Sequence, residues 1–365
     1  MNILILTQKV DKNDPILGFF YKWILEFSYK FEKVLVVCLE KNEVDLPENV
    51  LVFSLGKEEN NELKIKDYKL LRKIKYTTRF FKLIWAERKN YDVVFVHMNP
   101  EYVVLGGVFW KFWSKKIALW YTHRQKDLKL WLAEKLTNIV FTSSPQSFTL
   151  KSKKIEIMGH GVDVDFFKSI KRNTNFDQKV FIHVGRITQI KNCEVLIETA
   201  NILKNKWSID FKIKFLGDPI LPKDFVYQKL LLNLVKKYNL EKNIEFMGSI
   251  SPDAMAEFYA TADASFNLAP TGGMDKSVIE SVIAKVPTFA SNLSFVDIYD
   301  EYKDIFMFKE LDSNDLAKKV MDYYLILSDV QKADLAHKLS EKAVSKFSIK
   351  TLVNKIYFKL NETSK

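Results

Sequence analysis

The sequence predicts an α/β protein made of two doubly wound domains in tandem, and three observations carry that prediction. The chain has 365 residues, 47% of them hydrophobic, which is length and core material for two domains. Short runs such as Lys33-Val-Leu-Val-Val-Cys-Leu39 and Lys179-Val-Phe-Ile-His-Val-Gly185 are apolar without alternation. Parallel strands buried on both faces read this way. These runs alternate with helical stretches, and the alternation starts afresh after a polar segment, Lys168 to Gln178. The expected division is one Rossmann-like domain over residues 1–167 and a second over 178–347. A C-terminal helix, 348–365, is expected to pack back onto the first.

In the first half the expected strands are Asn2–Thr7, Lys33–Leu39, Tyr91–His97, Lys116–His123 and Asn138–Ser144. A helix is expected from Phe19 to about Tyr29, after a polar loop that contains Asp11, Asp14, Pro15 and Gly18. A nicotinamide dinucleotide site would need Gly-x-Gly-x-x-Gly in that loop, and Gly18 alone is present, which argues against a dehydrogenase. Two strands end in histidine, at His97 and His123. The carboxyl ends of strands are where open α/β sheets bind ligands, and His123 is the stronger candidate for a hydrogen-bonding or acid–base role.

The second half repeats the pattern with strands near Lys179–Gly185, Phe211–Asp218, Ile244–Gly248, Ala264–Leu268 and Thr288–Ser291. Ser251 followed by Pro252 reads as the N-cap and first residue of a helix. Beyond Asn314 the chain reads as largely helical. The fourth strand runs into Pro270-Thr271-Gly272-Gly273, and a helix is expected to open near Asp275. Adjacent glycines let backbone N–H groups approach a ligand, and a helix N-terminus adds partial positive charge. Together they read as a cradle for a phosphate or diphosphate. Arg186 and Lys191, on the turn after the first strand of this half, supply cations. Glu280 is placed to accept hydrogen bonds from sugar hydroxyls.

Charge separates the halves. Residues 1–160 hold 27 Lys and Arg against 18 Asp and Glu, whereas residues 161–365 hold 29 against 27. The stretch Lys64 to Lys89 reads as a basic amphipathic helix with aromatics, and Trp110-Lys-Phe-Trp-Ser-Lys-Lys116 adds a second such cluster. This composition points to an anionic membrane surface rather than to nucleic acid, for which no motif is visible. Cys38 and Cys193 stand far apart in apolar surroundings and read as buried thiols. With no leader visible and no apolar run of spanning length, the chain is expected to be cytoplasmic, peripheral on the inner face of the cell membrane. Asp163-Val-Asp165 imitates a cation-binding carboxylate pair, but it follows a Gly-containing turn in the linker. No metal site is expected.

Three segments in order resemble the GT-B glycosyltransferases, specifically the retaining glycosyltransferase family 4 with its glycosyl transferases group 1 domain. They are His160-Gly-Val-Asp163 with Phe166, Val184-Gly-Arg186 followed by Lys191, and Ile279-Glu280-Ser-Val-Ile-Ala-Lys-Val-Pro287. The resemblance implies two Rossmann-like domains with a cleft between them, a UDP- or GDP-linked sugar as substrate, no cofactor or metal, and retention of configuration. It implies transfer to a glycan or lipid-linked acceptor in cell-surface polysaccharide or glycolipid synthesis. Arg186 and Lys191 would hold the diphosphate, Glu280 the ribose and His123 the donor sugar. The implied nucleotide-binding set is Gly18, Gly185, Arg186, Lys191, Gly272, Gly273, Met274, Asp275, Lys276 and Glu280. Three features depart from the family: Gly272 replaces a glutamate, Arg124 follows His123 where an acidic residue is common, and the N-terminal Gly-Gly loop is reduced to Leu17-Gly18-Phe19. A sugar-nucleotide epimerase of the same fold, or a non-catalytic glycan- or membrane-binding relative, are the other readings.

Overall fold

The computed structural model describes residues 1–14, 17–60, 69–174, 178–207 and 210–362. The chain forms two compact units, Met1–Gly161 together with the chain from Ile349 onward, and Val162–Ser348. In the first unit seven strands run in chain order: β1 (Ile3–Val10), β2 (Val34–Lys41), β3 (Val50–Ser54), β4 (Val93–His97), β5 (Lys116–Trp120), β6 (Ile139–Thr142) and β7 (Ile155–Ile157). They form one parallel sheet in the order β3-β2-β1-β4-β5-β6-β7.

The apolar runs lack alternation because both faces of this sheet are covered. Ile3, Ile5, Val34, Val36, Phe95, Trp120 and Phe141 point into a core shared with helices Gly18–Ser28 and Ile349–Asn361. Leu4, Leu6, Leu35, Val37, Val94, Val96 and Leu119 point the other way, toward helices Lys69–Ala86, Pro100–Phe112 and Leu128–Leu136. The helix Ile349–Asn361 buries Ile349, Leu352, Val353, Ile356 and Leu360 in the first of these cores. A Cβ added at Gly161 would stand 2.7 Å from Leu352 Cδ2 and 3.2 Å from the Trp23 ring, and Gly161 O accepts from Trp23 Nε1 at 3.2 Å. Only glycine fits where the chain passes so close to both helices.

The second unit holds β8 (Lys179–Val184), β9 (Phe211–Leu216), β10 (Ile244–Gly248), β11 (Ala264–Asn267) and β12 (Thr288–Ala290), parallel in the order β10-β9-β8-β11-β12. Its core is one continuous cluster that includes Phe181, Phe215, Phe266, Phe289 and Leu316.

Several elements differ from expectation. β3 and β7 are additional edge strands. β3 lies parallel to β2 although only a short extended loop connects them, whereas parallel neighbours ordinarily need a long crossover. That loop is tied down by side chains: Tyr21 OH donates to Asp45 O and accepts from Asp45 N, and Asn49 Nδ2 donates to Ser28 O at 2.9 Å. Ser251-Pro252 opens a turn, and the helix starts only at Met255; Ser251 O accepts from Met255 N at 3.2 Å. β5 ends at Trp120, so His123 lies on the following loop. The units divide at Gly161 rather than in the polar stretch. Arg172 and Asn173 of that stretch donate to Tyr259 O and Ala260 O of the second unit at 2.5 and 2.8 Å. Of the basic helix, Lys64 and Lys66 lie outside the described residues.

Ile356→Ala should lower stability by about 2–5 kcal/mol, because it empties a fully buried site. Urea denaturation of the full chain would show a lower midpoint; an unchanged midpoint would mean that the last helix is not part of the first unit's core.

Candidate functional site

In the second sheet the strand order reverses at β8, whose neighbours are β9 on one side and β11 on the other. Open α/β sheets leave a crevice at the carboxyl ends of the two strands flanking such a reversal. The turn after β8 carries Gly185, Arg186 and Lys191, and the turn after β11 carries Pro270 to Asp275. Most of the residues singled out by sequence are thereby brought to one edge of one sheet.

The turn after β8 is fixed by backbone pairing. Gly185 N donates to Leu216 O at 3.0 Å and Ile187 N to Asp218 O at 3.2 Å. A Cβ at Gly217 would lie 2.1 Å from Gly185 O, so glycine alone allows β8 and β9 to end this closely. Gln189–Lys191 is a single 3-10 turn, and Asn192, left-handed at φ 48°, stops it. Asn192 Nδ2 then donates to Leu268 O at 3.0 Å, which ties the turn to the chain leaving β11. As a result Lys191 Nζ reaches Asp275 Oδ2 at 2.6 Å. Arg186 is exposed and lines an open depression of about 480 Å3 with Gln189, Ile190 and Lys223.

The turn after β11 is held from below by residues that the sequence did not single out. Asn292, fully buried, donates from Nδ2 to Gly273 O at 2.8 Å, and Ser294 Oγ donates to Gly272 O at 2.9 Å. The Gly272 N–H faces inward to Asn292 Oδ1 at 3.4 Å and so is not among the groups turned toward a ligand. The helix Lys276–Ile283 follows, with Asp275 at its N-cap. Burial pushes the Asp275 carboxyl up, but Lys191 and the Asn267 amide more than offset this and leave it below the usual range. Burial also brings the Lys276 ammonium down to about 7, against the pull of Glu280 and Asp275. Glu280 lies one turn along this helix, half-buried, and its Oε2 accepts from Tyr259 OH at 3.1 Å. Met274 is partly buried against the core.

His183, inside β8, was also not singled out. Its Nδ1 lies 3.0 Å from Phe266 O, so the neutral ring carries its proton there, and Nε2 faces Cys193 Sγ at 3.7 Å. Burial lowers its pKa to about 4.

The remaining candidates belong to the first unit. His123 is exposed, edge-on to Tyr121 at 5.8 Å, and is followed by exposed Arg124. His97 is a core residue: its ring stacks on Phe20 at 3.8 Å, and Nδ1 lies 3.2 Å from Thr7 Oγ1. Gly18 opens its helix with N–H bonded to Asp14 O at 2.9 Å. The loop before it is held by Lys9, which pairs with Asp11, Asp14 and Glu40 at 3.2, 2.9 and 3.1 Å. Asp163 caps the helix Val164–Lys168 by accepting from Phe166 N at 3.2 Å, so its carboxylate has a structural task.

Two Rossmann-like units, the second with cations and a Gly-containing turn at its switch point, define a protein of GT-B fold. Solved structures agree at the level of fold. The chain aligns over its whole length with all of Anabaena HepE in complex with UDP (TM-score 0.73, 15% identity). It also aligns with all of the sucrose-phosphate synthase of Thermosynechococcus elongatus (TM-score 0.75, 15% identity). Residues 165–345 match the family Glycosyl transferases group 1, and this stretch is a domain of that family of glycosyltransferases. Among curated proteins it is 25% identical over 181 residues to a poly(ribitol-phosphate) alpha-N-acetylglucosaminyltransferase of Staphylococcus aureus, covering 49% of this chain and 34% of that protein. It is 26% identical over 201 residues to the Staphylococcus aureus capsular polysaccharide biosynthesis glycosyltransferase CapH, covering 50% of this chain and 54% of that one. The chain thus spans about half the length, or less, of the curated relatives it matches.

His183 gives this site a pH signature. Its folded pKa of about 4 lies below the ordinary 6.5, so between those values the unfolded chain binds the extra proton. The His183 contribution to stability is therefore flat above pH 6.5 and falls by about 1.4 kcal/mol per pH unit toward pH 4. His183→Gln should remove that part of the slope in denaturation curves; an unaltered slope would mean that His183 titrates normally.

Proposed function

We propose that the chain is a metal-independent, retaining glycosyltransferase that moves a sugar from a nucleotide sugar to a glycan or lipid-linked acceptor in cell-surface polysaccharide synthesis. One observation carries the reading. Arg186 and Lys191 share a turn at the strand-order reversal with the Gly272-Gly273 turn and the N-terminus of helix Lys276–Ile283. When the bond from the sugar C1 to the diphosphate oxygen breaks, negative charge grows on the departing nucleoside diphosphate. Fixed cations and backbone dipoles stabilise that charge without reorganising. Arg186 can fork onto two phosphate oxygens, whereas Lys191 acts as a point charge. The helix N-terminus adds partial positive charge. These groups supply what a divalent cation supplies elsewhere. Glu280, steadied by Tyr259, receives the ribose hydroxyls, and His123 keeps the donor-sugar role that the family resemblance implies. HepE was solved with UDP and with UDP-glucose, which favours a uridine nucleotide. The capsule and poly(ribitol-phosphate) relatives favour a cell-surface glycan as acceptor.

We further propose that the chain works against the cytoplasmic face of an anionic membrane. Among the described residues no helix is long and apolar enough to cross a membrane. Two helices of the first unit nevertheless share an outward apolar and basic surface. Leu70, Leu71, Ile74 and Trp85 are exposed on Lys69–Ala86, and Val108 and Phe112 on Pro100–Phe112. Phe81 meets Phe109, and Trp85 meets Trp113, each at 5.6 Å between ring centres. Lys73, Lys82, Lys89 and Lys111 are exposed around them. Apolar groups seated at the headgroup boundary and ringed by lysines suit anionic lipid.

Arg186→Ala should lower turnover by about 10²–10³-fold in a donor-consumption assay with the matched acceptor; near-normal turnover would remove Arg186 from the diphosphate site. Co-sedimentation with phosphatidylglycerol-containing vesicles should weaken as salt rises and fall in Trp85→Ala. Binding indifferent to both would argue against membrane docking.

A further inference from the structure

We propose that Asp275 is a built-in counter-ion that pairs with Lys191 and competes for it with the diphosphate of the donor. The inference rests on the reading of the site as a nucleoside-diphosphate site. Lys191 and Asp275 have side-chain exposures of 15% and 26%, with 2.6 Å between Nζ and Oδ2. A cation withdrawn that far from water needs a charge partner, and in this chain it is a carboxylate on the rim of the cradle. An incoming diphosphate therefore does not meet a bare lysine. It meets a neutralised pair, one member of which repels it.

Asp275 has a second place to rest. It is the N-cap residue of helix Lys276–Ile283, yet its side chain makes no capping hydrogen bond. An aspartate at this position ordinarily accepts from the N–H groups of the first helical turn. Here the carboxylate is turned to Lys191 instead. Rotation back onto the helix end would release Lys191 and satisfy the carboxylate at the same time, so the two arrangements are alternatives for one side chain.

Asn267 supports the first arrangement. It is 2% exposed, and its Nδ2 donates to the same Asp275 oxygen at 2.7 Å. Its own Oδ1 is buried without a hydrogen-bond partner among the described residues. A buried amide left half-satisfied is costly, and its one side-chain bond is to Asp275. The charged and titratable groups around Asp275 are Lys191 and His183 of the turn and strand opposite and Lys276 on its own helix.

The experiment is calorimetric titration of the full chain with UDP and with GDP, at pH 8 and low salt, for wild type, Asp275→Asn, Lys191→Met and the double variant. Asp275→Asn keeps the shape and the bond to Asn267 but removes the charge. It should bind the preferred diphosphate about tenfold more tightly than wild type, and the gain should shrink when Lys191→Met is also present. Asp275→Ser, which retains a capping oxygen, should also bind more tightly and guards against a folding defect in the first variant. Equal or weaker binding in both Asp275 variants, with wild type binding well, overturns the counter-ion role and leaves the proposed function standing. Failure of wild type to bind either nucleotide overturns both.

Discussion

The second sheet is governed by one constraint: β8 pairs in parallel with β9 on one side and β11 on the other. Parallel neighbours on both sides send the turn after β8 and the turn after β11 out at the same edge, next to each other. Lys191 and Asp275 are 84 residues apart in sequence and meet only because of this. Gly217 permits β9 to close on β8, and Asn192 stitches one turn to the other. Asn292 and Ser294 brace the Gly272-Gly273 turn from beneath. The site is therefore built by rigid strand ends and by side chains that never need to touch a ligand.

The two units handle charge differently. On the outer helices of the first, exposed lysines stand beside aromatic rings and half-buried Arg88 lies 4.7 Å over Trp85, although Lys9 is drawn inward among Asp11, Asp14 and Glu40. In the second, key charges are drawn inward and matched. Lys179 pairs with Asp263 at 3.1 Å, the latter almost wholly buried, and Asp224 accepts from Thr188 Oγ1 at 2.7 Å. Exposed charges act at a distance and are screened by salt; withdrawn, paired charges act over a few ångströms and are not.

Much of this architecture was legible in the residues. Lys33–Leu39 and Lys179–Gly185 are mostly apolar, without alternation, because both sheet faces are covered, and the strands formed within a residue or two of those limits. β3 and β7 were not legible, because no helix precedes β3 and β7 is only three residues long. Ser251-Pro252 carried a helix-start signal that a turn satisfied as well. The two histidines were both placed at strand ends, with His123 the stronger candidate; packing separates them further, since His97 is locked against Phe20 whereas His123 is exposed on a loop. That Arg186 and Lys191 share the turn after β8 could be read from sequence, since they directly follow an apolar run. Their partners could not. Asn267 closes an apolar strand, Asn292 follows another, and His183 sits within one; each is defined by what it touches across the sheet.

The chain passes between the units twice, at Gly161–Val162 and at Ser348–Ile349. The two passages lie side by side, because Val162 N donates to Phe347 O at 2.8 Å and Val162 bridges Ser348. In order of synthesis this makes the second unit an insertion into the first. The helix that closes the first core emerges only after all of Val162–Ser348 has been made. At ribosomal rates of about 5–20 residues per second, that is a wait of roughly 10–40 s. During it, the faces of Trp23 and Phe31 that meet this helix lack their cover. The later-made unit, contiguous and complete, can fold before the earlier one is finished.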